Sequence, residues 1–533
     1  MKLIKKLSLI TALSAAALAI PFVVLSCSNN TQRINVVSTN DMHGRLEKND
    51  KSKEVGIQAI NGYLKAQPYD LLLDGGDLIQ GTALNDVDKG KTMAEITNML
   101  GYDAIAVGNH EFDFGLDNLL NITKNVNSNF LSANVRYKVN DNAENKKKDE
   151  RVFSATKIKT LNNGLKVGII GLTTPETAYK THPANVAKVE FTDLVTETKQ
   201  EIDALEQQGI NFITVVSHVG QYATVPLAQA LENKIDLIID GHTHQDFQQT
   251  VGTTQIIQTG EYTKGLRKSS FDFNPTTGFI ENFQSALIGY DELIKYENQA
   301  DAIVVDKIKT LKAAQATEFA EVVIQNNPYK LNGERNDVRQ KETNLGDLVT
   351  DAMFWEAQKT VEDVDFAITN SGGIRSSIQP GVVTKKNTYD VFPFGNKLVV
   401  LKSKGKVLRQ AFDRSVISNT GDKETDGALL QVSENVKLMQ QPDGQWKYQI
   451  KRNGAFSDLD DETVYKFATQ DFTQNGGDGY TMFKDLEELF SGTDLKGIIE
   501  EYLKKLSTNP NEWNKYQNEF PTQRLSWLPK QQF

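Results

Sequence analysis

Six short apolar runs set the strongest constraint on how this chain folds: Ile34–Val37, Leu71–Leu73, Ala104–Val107, Val167–Ile170, Phe212–Val216 and Leu237–Ile239. Most are rich in β-branched residues, and most lead directly into a cluster of Gly, Asp or Asn. Apolar runs this short, bounded by turn residues, read as buried strands rather than helices. Helix-compatible stretches lie between several of them, such as Thr92–Leu100 and Asp193–Gln208. Strands alternating with helices predict an α/β layered domain over residues 33–290 with its strands buried.

Residues 291–317 are charged, contain no Gly or Pro and are expected to form a linker helix. The character changes again from 318, where a second α/β region runs to 533 with Gly-rich loops near Gly372 and Gly476. Hydrophobic residues at 39% and charged residues at 24% exclude a largely disordered chain and a polytopic membrane protein. The net charge of −10 argues against a nucleic-acid polymer as partner, since that binding is driven by basic surface. A small anionic ligand stays compatible, because charge at a site can oppose the global sign.

The N-terminus has the grammar of a targeting segment. Lys2, Lys5 and Lys6 precede an apolar stretch from Leu7 to Leu25, which ends in "VVLSC". This resembles a bacterial lipoprotein signal peptide over 1–26, with Cys27 as the lipidated first mature residue and 27–32 as a polar tether. An uncleaved membrane anchor is the alternative, as the stretch is nearly long enough to span. Either reading puts the body of the chain on the extracytoplasmic face of the cell membrane. Cys27 is the only cysteine, so a disulfide within the chain, a second thiol and a thiolate metal site are excluded.

Five polar clusters follow apolar runs. "INVVSTNDMHG" carries Asp41 and His43, and "LLLDGGD" carries Asp77. "AIAVGNHEFDFG" carries Asn109, His110 and Asp113. "FITVVSHVG" carries His218, and "LIIDGHTH" carries His242 and His244. Sites in open α/β sheets form at the carboxyl ends of strands, so residues distant in sequence converge there. A lone histidine at a strand end is more often a hydrogen-bonding group than a ligand. Here five of the six histidines fall in these clusters, His182 being the exception, which favours ligation. Imidazole suits Zn, Mn or Co, and carboxylates can bridge two such ions. Asp41 and His43 are available to one ion and Asn109, His218 and His242 to another, with Asp77 the candidate bridge. Asp74, ahead of Gly75, is expected to be structural.

The set "DMHG", "GGD", "GNHEFD", "SHVG" and "GHTH" resembles the metallophosphoesterase (calcineurin-like) superfamily, and the rest of the chain narrows this to the bacterial and animal 5′-nucleotidase family. The resemblance implies a four-layer α/β/β/α N-terminal domain and a smaller C-terminal α/β domain. It implies one ion held by Asp41, His43, Asp77 and His244, and a second held by Asp77, Asn109, His218 and His242. Some family members carry an amide where this chain has His244. His110 and Asp113 become a dyad in which His110 meets charge on the phosphoryl or leaving group and Asp113 orients its ring. Structural support alone is the plainer reading of His110.

In the second region, "RNDVRQ" offers Arg339 and "TNSGGIRSS" offers Asn370, Gly372, Gly373 and Arg375. Arginine forks match phosphate oxygens, and a Gly-Gly loop admits close backbone approach to an anion. Phe394 and Phe472 lie beside Gly-containing loops. A phenylalanine is usually core, but the resemblance implies that these two sandwich the base and that Asp478 holds the ribose hydroxyls. It also implies an interdomain site served by a hinge rotation.

These readings converge on metal-dependent hydrolysis of nucleoside 5′-monophosphates outside the cytoplasm, for nucleotide scavenging. Nucleotide diphosphates, nucleotide sugars or dinucleotides are further substrate classes. A 2′,3′-cyclic phosphodiesterase with 3′-nucleotidase activity shares nearly all these motifs. A surface adhesin or ligand-capture lipoprotein is the alternative of another class.

Overall fold

A computed structural model describes residues 31–125, 129–139, 147–417 and 427–527. The expected leader, Cys27 and most of the tether lie outside the described residues. Among the described residues no helix is long and apolar enough to cross a membrane. The chain divides into two compact units. The first holds the described residues through Gln80 with Asp88–Ala178 and Val186–Lys309, and the second holds Gly81–Val87, Tyr179–Asn185 and the described residues from Thr310 onward.

The first unit contains two six-stranded sheets. Its strands are β1 (Gln32–Thr39), β2 (Leu71–Asp74), β3 (Ala104–Ala106), β4 (Phe130–Leu131), β5 (Thr156–Thr160) and β6 (Lys166–Thr173). They continue as β7 (Phe212–His218), β8 (Leu237–Ile239), β9 (Asp246–Val251), β10 (Thr254–Thr259), β11 (Gly265–Asn274) and β12 (Phe279–Gly289). One sheet runs β12-β11-β1-β2-β3-β4, parallel from β1 to β4 with the β11–β12 hairpin antiparallel at its edge. The other runs β9-β10-β8-β7-β6-β5, parallel from β10 to β6.

Alternate residues of each strand serve different cores, as the two-residue period of a strand requires. Ile34, Val36, Leu71 and Leu73 of one sheet share a core with Ile169, Phe212, Val216 and Ile239 of the other. Ile170, Ile213, Val215 and Ile238 turn the other way, onto Ile202 and Leu205 and onto Leu227 and Ala228. The first pair belongs to the 194–207 helix and the second to the 221–230 helix. On the far face of the first sheet, Ala94 and Thr97 of the 91–100 helix line one cavity with Ile105 and Phe130. The result is the expected α/β/β/α layering.

The 291–317 stretch is not one helix. A short helix at Tyr290–Leu293 passes into a 3-10 turn at Ile294–Gln299, and a long helix then runs from Ala302 to Ala320. Ala300 between them is extended (φ −62°, ψ 152°), and the Asn61 side chain accepts the Asp301 N–H at 2.7 Å. The 3-10 turn lies on the 56–66 helix so closely that a Cβ at Gly62 would sit 1.9 Å from the Tyr296 carbonyl oxygen. Docking on that helix breaks a helix that local propensity would have continued.

The second unit is built on a five-stranded sheet. Its strands are β13 (Phe366–Asn370), β14 (Lys397–Lys404), β15 (Leu430–Val432), β16 (Val464–Gln470) and β17 (Glu487–Asp494), in the order β15-β13-β16-β14-β17. One face packs Ala367, Leu398, Val400 and Ala468 with Leu345, Leu348, Ile498 and Ile499 of the 344–360 and 495–508 helices. The other packs Phe366, Ile368, Val399 and Phe467 with Leu408 and Phe412 of the 405–417 helix. This is the smaller α/β unit that the sequence predicts.

Candidate active site

All five predicted clusters of the first unit stand at carboxyl ends of parallel strands: β1, β2 and β3 of one sheet, β7 and β8 of the other. The loop after β1 is tied to the loop after β2 by three backbone hydrogen bonds of 2.9 Å, from Asp41, His43 and Gly44 to the carbonyls of Gly76, Asp77 and Leu78. Five expected ligands occupy left-handed backbone: Asp41 (φ 50°), His43 (46°), Asp77 (55°), His242 (82°) and His244 (61°). That conformation costs a residue with a side chain roughly 1–2 kcal/mol. Strain of this kind persists only where the surroundings over-determine it, and it gathers at functional sites.

The ligand atoms form three overlapping groups, Asp41–His43–His244, Asp41–Asp77–His218 and His43–Asp77–His110, with the atoms of each group within 4.8 Å of one another. His43 Nε2 and His244 Nε2 are 3.2 Å apart, and His244 Nε2 is 3.2 Å from Asp41 Oδ1. Asp77 Oδ2 is central, 3.0 Å from His218 Nε2 and 3.7 Å from His43 Nε2, while Oδ1 accepts the His110 N–H at 2.8 Å. Asp41 and Asp77 are 0% and 2% exposed, so their charge is shielded from water.

Ring orientation identifies the donor atoms. His43 Nδ1 lies 3.0 Å from the Gln80 carbonyl and His218 Nδ1 lies 2.7 Å from the Gly75 carbonyl. A carbonyl oxygen only accepts, so both Nδ1 atoms carry a proton and both rings turn Nε2 to the centre. His218 Nε2 is fully buried without a geometric hydrogen-bond partner, and Asp77 Oδ2 stands 3.0 Å from it. A buried ring nitrogen without a hydrogen-bond partner, beside two buried carboxylates, fits a cation ligand. His242 Nε2 is 3.0 Å from Glu176 Oε2 and its Nδ1 is 3.0 Å from Asn109 Oδ1, so Asn109 and His242 stand together.

The electrostatics of the pocket call for positive charge. Burial alone would raise the Asp77 carboxyl, but His218, His110 and His43 outweigh it and hold the group well below the usual range. Burial likewise raises Asp41, and His244 together with His218 more than compensates. For His218, burial disfavours the charged ring, yet Asp77 and then Asp41 push it up to about 10. His110 Nδ1 contacts Asp113 Oδ2 at 2.5 Å, the arrangement expected of an oriented imidazole.

Four carboxylates around this centre were not predicted. Glu111, buried, accepts the N–H groups of Asp77 (3.0 Å), Leu78 (2.6 Å), Ile79 (3.3 Å) and Gly108 (2.6 Å). It thereby locks the loop after β2 to the loop after β3. Asp240 accepts the Ser217 and Thr224 hydroxyls and the Gln258 amide at 2.6–2.8 Å, joining β7, β8 and β10 at their ends. Glu176 meets His242, and Glu261 meets His244 Nδ1. Glu111 and Asp240 lie inside quoted motifs, which was the available signal; Glu176 and Glu261 lie outside them. Asp74 is structural as expected, accepting the Thr39 hydroxyl at 2.6 Å and the Gly76 N–H at 2.8 Å. His182 falls in the second unit, with Nε2 4.0 Å from Asp471 Oδ2.

Within the second unit, the end of β13 meets the loop after β16. Asn370 Nδ2 donates to Asp478 Oδ2 at 2.6 Å, and Gln470 Nε2 donates to Asn370 Oδ1. Asp478 is buried in left-handed backbone (φ 50°), and Arg414 donates to its carbonyl at 3.0 Å. A Cβ at Gly373 would stand 3.1 Å from Gln470 Nε2, placing that loop at the same spot. The Phe472 ring lies over Gly477, where a Cβ would be 2.5 Å from it. The Arg375 guanidinium stands 5.4 Å from the Phe394 ring centre. Arg339 caps the short 335–338 helix and is half-buried. Gln470 and Arg414 are additions that the sequence did not single out.

Comparison with known proteins agrees with this geometry. Residues 34–246 match the calcineurin-like phosphoesterase family, and residues 319–485 match the 5′-nucleotidase C-terminal domain. The chain is 31% identical over 523 residues to the snake venom 5′-nucleotidase of Naja atra, across 89% of this chain and 96% of that one. It is 29% identical to the trifunctional nucleotide phosphoesterase of Bacillus subtilis (strain 168), across 89% of this chain and 34% of that protein. The crystal structure of a 5′-nucleotidase precursor from Thermus thermophilus superposes with a TM-score of 0.78 at 28% identity, covering 89% of this chain and 97% of that one. With a ligand cluster at five strand ends and both family domains in order, the chain is a phosphoester hydrolase that belongs to the 5′-nucleotidase family.

Proposed function

We propose that the protein hydrolyses nucleoside 5′-monophosphates to nucleoside and phosphate with two divalent ions, on the extracytoplasmic face of the membrane. The observation that carries the reading is the overlap of three ligand groups through Asp41 and Asp77. Asp41, His43, Asp77 and His244 would hold one ion, and Asp77, Asn109, His218 and His242 would hold the other. The mix of imidazole, carboxylate and amide donors suits Zn, Mn or Co. When bound, such ions would supply Lewis-acid polarisation of phosphoryl oxygens and lower the pKa of water toward about 7.

The chain's own residues supply orientation and proton control. Asp113 accepts from His110 Nδ1, which aims the other ring nitrogen at the charge that develops on the phosphoryl group or leaving oxygen. Gln80 and Gly75 fix the tautomers of His43 and His218. In the second unit, Arg339, Arg375, Asn370 and Gly373 receive anionic and polar substrate groups. Phe394 and Phe472 flank the base, and Asp478 meets the ribose.

Location rests on Lys2, Lys5, Lys6, the Leu7–Leu25 stretch and Cys27, which together favour a lipid-anchored product that scavenges nucleotides by removing phosphate outside the cell. Labelled palmitate incorporated by wild type and lost in Cys27→Ser is the expected result; equal label in both refutes lipidation at Cys27. For the chemistry, a panel of AMP, UMP, 3′-AMP, 2′,3′-cyclic AMP, UDP-glucose and NAD is assayed before chelation, after it, and after Zn, Mn or Co add-back. Metal-restored release of phosphate from the 5′-monophosphates is expected, and Asp77→Ala abolishes it. Turnover of only the cyclic and 3′ substrates assigns the chain to the phosphodiesterase/3′-nucleotidase alternative and overturns the proposal.

A further inference from the structure

A sixth strand end borders the ligand cluster and supplies none of the predicted ligands. β10 runs parallel to β8, and the turn that follows it, Gly260–Thr263, opens beside the loops of Asp41 and His244. Gly260 (φ 90°), Tyr262 (55°) and Thr263 (56°) all adopt left-handed backbone in this turn. Residues with side chains keep that conformation only where the structure holds them. Four contacts do so: Tyr262 N–H to the Asp41 carbonyl (2.8 Å), the Asn40 amide to the Gly260 carbonyl (2.8 Å), and the Val55 and Gly56 N–H groups to Thr263 (3.1 Å each).

The turn delivers Glu261 to His244. One carboxylate oxygen meets His244 Nδ1, and the other accepts from Lys264 Nζ at 2.7 Å. A carboxylate only accepts, so Glu261 draws a proton to His244 Nδ1 and turns Nε2 toward Asp41 Oδ1 and His43 Nε2, each at 3.2 Å. Tyr262 closes the remaining freedom of both rings, edge-on to His244 at 5.3 Å and to His43 at 5.4 Å. A histidine backed by a carboxylate is a stronger, better-aimed donor than one backed by a carbonyl. The Nδ1 atoms of His43 and His218 face the Gln80 and Gly75 carbonyls instead.

We infer that Glu261 is a positioning residue that fixes the tautomer and aim of His244 and so sets the affinity of one of the two ion sites. The inference rests on the two-ion reading. It makes the Gly260–Thr263 turn part of the site and gives His244 a dedicated partner that an amide at that position would not use in the same way.

The test titrates Co2+ into the metal-free full-length chain and reads visible absorption and bound metal per chain together. Wild type is expected to take two equivalents. Glu261→Gln is expected to keep one at wild-type affinity and to bind the other roughly 10- to 100-fold more weakly. In a His244→Ala background, Glu261→Gln is expected to cause no further loss, because its effect passes through that ring. Lys264→Ala, which removes the other partner of the carboxylate, is expected to leave both affinities unchanged. Wild-type affinity at both sites in Glu261→Gln, or additive losses in the double variant, overturns the inference. Should Glu261→Gln not fold, Glu261→Asp enters the same titration, and unchanged affinity at both sites there overturns it equally. Uptake of a single equivalent by wild type refutes the two-ion reading alone, and the double-variant comparison at that one site then decides on Glu261 by the same criterion.

Discussion

Replacing Glu111 by Gln tests whether the ligand loops are held by this one buried carboxylate. Oε1 accepts from Leu78 and Ile79, and Oε2 accepts from Asp77 and Gly108. Whichever way a glutamine amide turns, its NH2 faces two backbone N–H groups that it cannot accept. Hydrogen bonds to a charged acceptor contribute about 1.5–3 kcal/mol each, so losing two costs about 3–6 kcal/mol before relaxation. Relief of the burial and Asp77 repulsion that push the carboxyl up, together with relaxation of the two loops, leaves roughly 2 kcal/mol, which for a unit of this size lowers the melting midpoint by roughly 5 °C. The assay is a thermal melt of the metal-free full chain at pH 8, above the value of about 7 to which burial and Asp77 push Glu111. A Cβ at Gly108 would lie 2.3 Å from Asp77 Oδ1, so the loops have little room to find another packing. A melt within about 2 °C of wild type would falsify the claim that Glu111 holds these loops.

Three further outcomes are expected. Glu197 is raised by burial, but hydrogen bonds from Arg136 and Arg151 pull it to about 2, below its ordinary 4.5. Its stabilisation is therefore complete above pH 4.5 and is lost as pH falls through about 2. Because both arginines are partly exposed, Glu197→Gln is expected to cost only about 1–2 kcal/mol at pH 7. Melts that keep the same gap from pH 7 down to pH 2 refute this. Arg524 forks onto Asp351 with two bonds of 2.8 Å and lies 3.3 Å from Asp347, both carboxylates buried. Arg524→Ala is expected to cost about 3–5 kcal/mol by stranding those charges, read as a lowered denaturation midpoint; a loss under about 1 kcal/mol contradicts it. Phe472→Ala is expected to raise KM for AMP roughly 10-fold with little change in kcat, the worth of one stacked base face at about 1–3 kcal/mol. A fall in kcat with KM unchanged would point instead to a packing role.

The sequence by itself determined the layered architecture and the candidate ligand set, because both depend on local pattern. Short β-branched runs have no other stable use than buried strands, and a parallel strand must end at the sheet edge where sites form. Asp41, His43, Asp77, Asn109, His218, His242 and His244 were therefore legible as strand-end residues before any fold was known. His110 and Asp113 were legible from their three-residue spacing with the resemblance beside it. What the tertiary structure alone decided is which carboxylates support those ligands. Glu111, Asp240, Glu176 and Glu261 are four among 69 acidic residues, and nothing local separates them from the rest. Glu261 and Glu176 lie 17 and 66 residues from the histidines they meet, and Asp240 clamps side chains 16 to 23 residues away. The left-handed backbone of five ligands and the break at Ala300 are likewise imposed by packing, the latter by Asn61 and Gly62. Local propensity sees only neighbours in the chain, whereas these features are fixed by groups that meet only in the folded domain.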